Sequence, residues 1–419
     1  MLVGQILNAR GRFGPMMWAP IANNVISVSV LVVYLVVFGQ ASEAEQCAGF
    51  APGQELLLGL GSTAGIAVQL LILVPYLRAA GFAFRPRFDF RDAGLGHTLR
   101  LGIWTVAFVI VNQIAYTVVV NLASGGTAQG QLDGPGCGGA LGDPAAQGTG
   151  YTIYANSFLI MMVPHAVVTV SLATAVLPRL AARAADGDLA GLARSLSGTL
   201  RTALALVLPF AALMPVISLD VANALFGLGA GRDTFALYEP VLSLFAPALV
   251  LFTVHYLMLR GFYALERTRT VFLVQCGIAA VNIVAALVLV GRTDPRGTAP
   301  ALVLAYLTAY AAGSSASYLV LNRLVGGLES AALVRFLVRM AIAAAGGTAT
   351  AYLLARLLHA AQDGPPSALV AAGTVGLLTL ADAVVFLVLA RLLRIQEVTA
   401  VLDLVLGTVG RRKRRTNSH

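Results

Sequence analysis

The chain has 419 residues, of which 58% are hydrophobic and only 11% charged, and its formal net charge is +9. Soluble domains carry about 25% charged residues, so this composition excludes a soluble globular protein. In a chain this apolar, the excess of basic over acidic residues indicates loops that face an anionic membrane surface rather than a nucleic-acid-binding function.

Ten apolar stretches set the predicted architecture. Each approaches the about 20 residues that a membrane-spanning helix needs, and none alternates with the period of a barrel strand. In chain order they are 15–39, 52–77, 101–123, 151–177, 202–227, 240–259, 270–291, 300–322, 340–358 and 367–390. The sequence therefore predicts an all-α integral membrane protein with ten transmembrane helices.

The basic residues support this number of spans. If the N-terminus lies in the cytoplasm, 24 of the 28 basic residues, Arg260 among them, fall in inner segments. Such a bias is what the positive-inside rule predicts. We therefore expect both termini to be cytoplasmic. An interfacial helix is predicted over 395–410, and the basic run 411–415 is expected to contact anionic membrane lipids, not nucleic acid.

The connecting segments carry few further signals. Segment 124–150 is Gly-rich and predicts a flexible outer loop, whereas 78–100 and 178–201 are predicted as basic inner loops. Cys47 and Cys137 both fall in predicted outer loops. A disulfide between them and two free thiols are both compatible with the sequence.

An internal repeat relates two helix entries. Segments 4–12 and 261–269 superpose at a constant offset of 257, which aligns one Arg-x-Arg pair with the other. Six predicted spans separate the copies, so both copies have the same orientation in the membrane. A parallel repeat of this kind is typical of two-lobed transporters. Four spans precede the second copy within its lobe, so we expect about four helices to be missing before the first copy.

The segment 4–33 resembles a known family. Its pattern consists of Gln5, Leu7, Asn8, Arg12, Phe13, Pro15, Pro20, Asn23 and Asn24. It is similar to the entry into the fifth helix of the MurJ/MviN lipid II flippases, within the multidrug/oligosaccharidyl-lipid/polysaccharide exporter superfamily. The segments 163–167 and 173–180, which end in Leu-Pro-Arg, resemble the eighth helix of that family.

The resemblance implies a two-lobed exporter fold with an incomplete N-terminal lobe and two extra C-terminal helices. Residues 1–80 would be the remnant of the N-terminal lobe, 81–326 the C-terminal lobe, 327–394 the final two helices, and 395–419 the interfacial helix and basic cytoplasmic tail. Prolines inside the spans, at positions 164, 209, 215 and 247, would supply bends for alternating access.

The implied function is transport of lipid II, the undecaprenyl-diphosphate-linked peptidoglycan precursor, across the bacterial cytoplasmic membrane. Cell-wall synthesis proteins are candidate partners. The family carries its diphosphate-binding cations mostly on its first two helices, and 154–164 contains no Arg or Lys. The diphosphate-binding charge is therefore expected to be absent from this chain, and whether the truncated chain transports on its own is left open. Two alternatives stay open: another exporter of the superfamily, for polysaccharides or drugs, and a non-transporting cell-wall scaffold.

Polar side chains inside predicted spans are the candidate substrate-binding residues, because such groups are costly in a membrane. They are Asn112, Gln113, Asn156, His165 and Asp382. Hydrogen bonding between helices is the competing interpretation for the first four. For Asp382 the open alternatives are a charged partner, a proton or ion site, a lipid-facing groove, and a protonated carboxyl group that caps a small buried cavity. The sequence contains neither a Walker A sequence nor an HExxH pair, which argues against an ATPase or a metalloenzyme. We therefore predict a transporter without cofactors, not an enzyme.

Overall fold

The computed structural model describes residues 2–10, 12, 14–39, 50–82, 95–132, 148–229, 232, 234–362, 364, 366–400 and 402. Every regular element in these ranges is helical. The helices fall into two compact units, of which the first contains α1 to α3 and the second α4 to α12. Cys47, Cys137 and the basic run 411–415 lie outside the described residues, so the predictions for them stay untested.

The described residues of the first unit form three helices, α1 (Leu2–Ala9), α2 (Gly14–Phe38) and α3 (Pro52–Ala79). Helices α2 and α3 pack closely because Gly61 and Gly65 of α3 face α2. A Cβ atom would collide with Val30 at the first glycine and with Asn23 at the second. This Gly-x-x-x-Gly spacing is a common way for membrane helices to approach each other.

Besides two short 3-10 turns at Phe235–Tyr238 and Pro295–Gly297, the second unit contains, among the described residues, nine α-helices and one π-helical turn. They are α4 (Leu95–Leu132), α5 (Tyr151–Pro164), the π-helical turn His165–Val170, α6 (Ser171–Ala185), α7 (Leu189–Phe226), α8 (Glu239–Ala264), α9 (Thr268–Val290), α10 (Thr298–Leu324), α11 (Ser330–Ala360) and α12 (Ala368–Leu392). The strongest packing in this unit is between α8 and α10, α9 and α10, and α7 and α8.

The membrane-spanning architecture predicted from the sequence is confirmed. Nine spans in the described part of the chain are long and apolar enough to cross a membrane. The remaining predicted span corresponds to α10, which has 27 residues but is less apolar because Thr, Ser and Tyr interrupt it. Large apolar side chains on the outside of the helices remain exposed, such as Val36 (80%) and Leu369 (85%). Surfaces of this kind fit a lipid environment.

The predicted inner loop 178–201 is mostly helical. Helix α6 continues to Ala185, and α7 begins at Leu189, so only a short turn separates them. The Asp188 carboxylate accepts a hydrogen bond from the Gly191 backbone N–H at 2.7 Å and caps α7. A helix satisfies its own backbone hydrogen bonds, so it continues beyond its apolar stretch into the polar region.

The segment after the last span also packs onto the helical body. Residues 396–400 and 402 are helical, which agrees with the start of the predicted interfacial helix. Ile395 and Val398 are buried in the same apolar cluster as Leu196 of α7 and Phe336 of α11. The first part of this segment is therefore attached to α7 and α11.

Candidate functional site

A cavity of about 510 Å³ lies inside the second unit. Five helices, α4, α5, α8, α9 and α10, supply its walls. On α8 the lining runs from Phe252 to Tyr263, which corresponds to about 16 Å along a helix that rises 1.5 Å per residue. The volume falls in the range of small-molecule sites.

Arg260 is the cationic residue that lines this cavity. It lies on α8, four residues before the helix ends at Ala264. Its guanidinium carbon is 4.2 Å from the ring centroid of Tyr256 and 5.9 Å from that of Tyr263. Cation–π contacts at these distances hold the guanidinium in place without neutralising it.

The charge of Arg260 has no counter-ion in the described part of the chain. No carboxylate in that part forms an ion pair with it, and its buried Nε has no hydrogen-bond acceptor there. Isolated charges within membrane-spanning helices are costly and mark ligand or ion sites. The cavity is therefore electropositive and suits an anionic group.

Amide side chains from α4 and α9 form a polar face of the cavity. Gln275 Nε2 donates a hydrogen bond to Asn112 Oδ1 at 3.2 Å. One turn or more further along α9, Asn282 also lines the cavity, and its buried Oδ1 has no hydrogen-bond partner among the described residues. Amides offer both donors and acceptors, so this face suits a ligand rich in hydroxyl and amide groups.

Aromatic rings form much of the remaining wall. Tyr306 and Tyr310 of α10 lie 4.5 Å apart by ring centroids, and Phe252 of α8 lies 5.1 Å from Tyr310. Phe158 of α5 approaches Tyr306 edge to face at 6.0 Å. Rings fixed in this way form a stiff wall whose hydroxyl groups still offer polar contacts.

Two histidines support this wall from different positions. His255 lines the cavity, and its Nδ1 lies 2.8 Å from Ser317 Oγ of α10. His165, in the π-helical turn after Pro164, packs behind the wall with its ring 4.8 Å from the Tyr256 ring. His165 therefore helps to position the tyrosine that stacks on Arg260. The π-helical turn also marks where Pro164 interrupts the span.

The structure brings only some of the predicted site residues to the cavity. Asn112 lines it, whereas the exposed Gln113 does not, because successive helical residues point about 100° apart. Asn156 Nδ2 donates to Tyr238 Oη at 3.4 Å, away from the lining. His165 Nδ1 lies 3.4 Å from Thr253 Oγ1. These last two side chains connect helices, and a role in substrate binding stays a prediction for both.

Asp382 lies elsewhere, at the contact between α11 and α12. Its side chain is buried, and a Cβ atom at Gly347 of α11 would come within 2.7 Å of its Oδ1. The absent side chain at Gly347 therefore leaves room for the carboxyl group. Asp382 belongs to helix packing in the last two spans, and its proposed substrate contact stays a prediction.

Sequence reasoning missed the central cation. Arg260 was counted among the inner loop arginines because it follows the apolar stretch 240–259. One signal was available: Tyr256, Arg260 and Tyr263 recur at spacings of four and three, which places them on one face of a helix. Gln275 and Asn282 share a face in the same way, seven residues apart.

The described side chains do not suggest a metal centre. No group of three or more His, Cys, Asp or Glu residues in the described ranges is placed to hold a metal ion. The chemistry that the cavity supports is binding, through one fixed cation, several amides and an aromatic wall.

Comparison with known proteins identifies one family. The family model described as lipid II flippase MurJ matches residues 1–363. Among solved structures, the chain is similar to a lipid II flippase MurJ in an inward closed conformation, with a TM-score of 0.61 and 15% sequence identity. That similarity covers 93% of this chain and 69% of the solved one.

Proposed function

We propose that this chain, which belongs to the lipid II flippase MurJ family, moves lipid II across the membrane. In this proposal Arg260 binds the diphosphate of the precursor in the cavity between α4, α5, α8, α9 and α10, hereafter the α4–α10 cavity. Family membership makes the chain a lipid II flippase, a transporter rather than an enzyme, and a multi-pass protein of the bacterial inner membrane. The alternatives of a drug or polysaccharide exporter and of a scaffold are not favoured by the family match.

The single observation that carries the proposal is the uncompensated charge of Arg260. A guanidinium presents several N–H donors in a planar fork, which matches two oxygens of a phosphate group. The stacked Tyr256 ring fixes the orientation of that fork. A diphosphate that enters the cavity would therefore supply the anion that no described carboxylate supplies.

The rest of the cavity suits the remainder of the lipid II head group. Asn112, Gln275 and Asn282 present amide donors and acceptors for sugar hydroxyl and peptide groups. The hydrogen bond between Asn112 and Gln275 keeps the two amides oriented in the empty cavity. We assign these three residues to head-group recognition.

A second cavity suits the lipid tail. It has a volume of about 460 Å³ and lies between α7 and α11, where Leu208, Ala212, Met340 and Ala344 line it. These side chains are apolar. We propose that this recess accommodates part of the polyprenyl chain, since an apolar chain gains free energy from contact with apolar surface.

The direction of loading follows from the arginine distribution. We propose that both termini are cytoplasmic, as the positive-inside rule requires for 24 of 28 basic residues. Arg260 then lies near the cytoplasmic end of α8, where lipid II is loaded. The cavity also lies within residues 108–310, inside the segment 81–326 that we propose as one lobe. Alternating access would move that lobe against its counterpart.

Binding of lipid II to the purified chain tests the proposal. We expect Arg260→Ala to weaken lipid II binding by about 2–5 kcal/mol, which is the range for loss of one partner of a buried charge pair. Arg356→Ala is a matched control because Arg356 of α11 also stacks on a tyrosine, with its guanidinium carbon 5.9 Å from the Tyr352 ring, but does not line the cavity.

Arg356→Ala should bind lipid II as the unmodified chain does. Equal binding by Arg260→Ala and the unmodified chain would remove the assigned role of Arg260. Weakened binding by both variants would indicate a general effect of removing an arginine.

A further inference from the structure

Four arginines converge in the second unit, outside the lining of the α4–α10 cavity. Arg201 of α7, Arg335 and Arg339 of α11, and Arg394 after α12 line a recess of about 190 Å³. Each of these arginines lies within five residues of the end of an apolar stretch, 202–227, 340–358 or 367–390.

The charges in this recess do not cancel. Arg201 lies 3.3 Å from a carboxylate oxygen of Glu329 and 3.5 Å from one of Glu397. Both nearby carboxylates thus share one arginine. In the described part of the chain no carboxylate forms an ion pair with Arg335, Arg339 or Arg394. Four arginines against two glutamates leave a surplus of two positive charges.

The local structure holds these like charges together. Arg335 and Arg339 are one helical turn apart on α11, and like charges at that spacing repel each other. Arg394 adopts a positive φ of 53°, a conformation that favours glycine. This conformation closes the C-terminus of α12 and so fixes where the Arg394 side chain leaves the helix.

The segment after Arg394 completes the recess. Its chain turns back through a hydrogen bond from the Ile395 N–H to the Ala390 carbonyl oxygen at 2.9 Å. Ile395 is 2% exposed, so the turn is anchored in the apolar core. The recess is therefore a shaped feature of α7, α11 and the chain after α12, not a scatter of surface charges.

We propose that this recess binds the phosphate group of an anionic phospholipid from the inner leaflet. Arginine forks match phosphate oxygens, and basic pockets between helix ends on the cytoplasmic side bind such head groups. The volume fits a phosphate with its glycerol but is less than half that of the α4–α10 cavity. A bound phosphate would join α7 and α11 to the segment that follows α12.

Thermal unfolding and native mass spectrometry of the full chain in neutral detergent test this site. The probes are phosphatidylglycerol, phosphatidylcholine and inorganic phosphate. Arg335→Gln/Arg339→Gln removes two arginines of the recess. Arg179→Gln/Arg323→Gln is the matched control, because both arginines are exposed and neither lines the recess.

We expect phosphatidylglycerol, and neither of the other probes, to raise the unfolding temperature of the unmodified chain. The Arg335→Gln/Arg339→Gln variant should bind phosphatidylglycerol about 30-fold more weakly, from about fivefold per arginine near a membrane surface. The control should change by less than about twofold. Equal losses in both variants, or equal effects of both lipids, would overturn the proposal. Stabilisation by inorganic phosphate alone would overturn the assignment to a lipid.

The Arg394→Gly variant is a second test of the site, for the case that the Arg335→Gln/Arg339→Gln chain does not fold. Glycine adopts a positive φ without strain, so this variant should unfold at the same or a higher temperature without lipid. It should nevertheless bind phosphatidylglycerol more weakly. Unchanged lipid binding by a stably folded Arg394→Gly chain would exclude Arg394 from the site.

Discussion

The α4–α10 cavity and the four-arginine recess both use arginine without a full set of carboxylate partners, but they do so in different surroundings. Arg260 is a single cation held between tyrosine rings inside a bundle of five helices. The recess gathers four cations at helix ends, and three of its arginines are exposed. The positive-inside rule accounts for a single arginine at a helix end, but not for the convergence of four of them in one recess. An unpartnered arginine inside a cavity needs a ligand.

Charge reversal should separate the two sites most strongly. We expect Arg260→Glu to weaken lipid II binding by more than about 3 kcal/mol, because the carboxylate would repel the diphosphate in a shielded site. Arg335→Glu should leave lipid II binding unchanged and lower phosphatidylglycerol binding. Titration of both variants with both lipids measures the two effects. If Arg335→Glu also lost lipid II binding, the two sites would not be independent.

Replacement by lysine should separate fork geometry from charge. A lysine is a point charge without the planar fork of arginine. We expect Arg260→Lys to weaken lipid II binding by about 1–2 kcal/mol, which is roughly tenfold. Arg335→Lys/Arg339→Lys should stay within about twofold for phosphatidylglycerol, since several cations share one phosphate there. Isothermal titration of each variant checks this, and full lipid II affinity in Arg260→Lys would mean that charge alone suffices.

Removal of the stacking ring should have a smaller effect. Tyr256→Leu keeps apolar volume beside Arg260 but removes the ring face 4.2 Å from its guanidinium carbon. We expect a loss of about 0.5–1 kcal/mol in lipid II binding. Tyr352→Leu, beside the control residue Arg356, should have no effect on binding. A larger loss for Tyr352→Leu than for Tyr256→Leu would contradict the assigned role of the stack.

The smallest expected difference between the two sites is in how strongly salt weakens lipid binding. Exposed charges are screened over about 8–10 Å at physiological ionic strength, whereas partly buried charges are screened much less. Raising the salt concentration should therefore weaken phosphatidylglycerol binding more than lipid II binding. Affinities measured for both lipids over a salt series check this. Parallel salt dependence would mean that Arg260 is as open to solvent as the recess.

The spans were predictable because their signal is local. An apolar run of about 20 residues has few alternatives to a helix in a membrane, so 367–390 became α12 with bounds close to those expected. Loops between spans were less predictable. In the segment 178–201, polar residues continue as helix because the Asp188 cap begins α7 early.

The candidate site was only partly predictable because it depends on which helices meet. Asn112 was expected from its polarity alone, but its partner Gln275 lies 163 positions away on a helix whose packing the sequence did not specify. Polarity also selected Asp382, whose carboxyl group lies against Gly347 of α11 and whose substrate contact stays a prediction. Arg260 was assigned to a loop because a hydropathy window ends at the first charge, whereas the helix continues to Ala264.

Site-specific photocrosslinking at two adjacent positions tests the central claim most directly. A photoreactive residue at Asn112 would lie in the cavity wall, whereas one at the exposed Gln113 would lie on another face of α4. With lipid II added to the membrane-embedded chain, we predict crosslinks to lipid II from position 112 and not from position 113. The crosslinks from position 112 should disappear when the same chain also carries Arg260→Ala. Crosslinks from position 113 alone would show that lipid II does not enter this cavity.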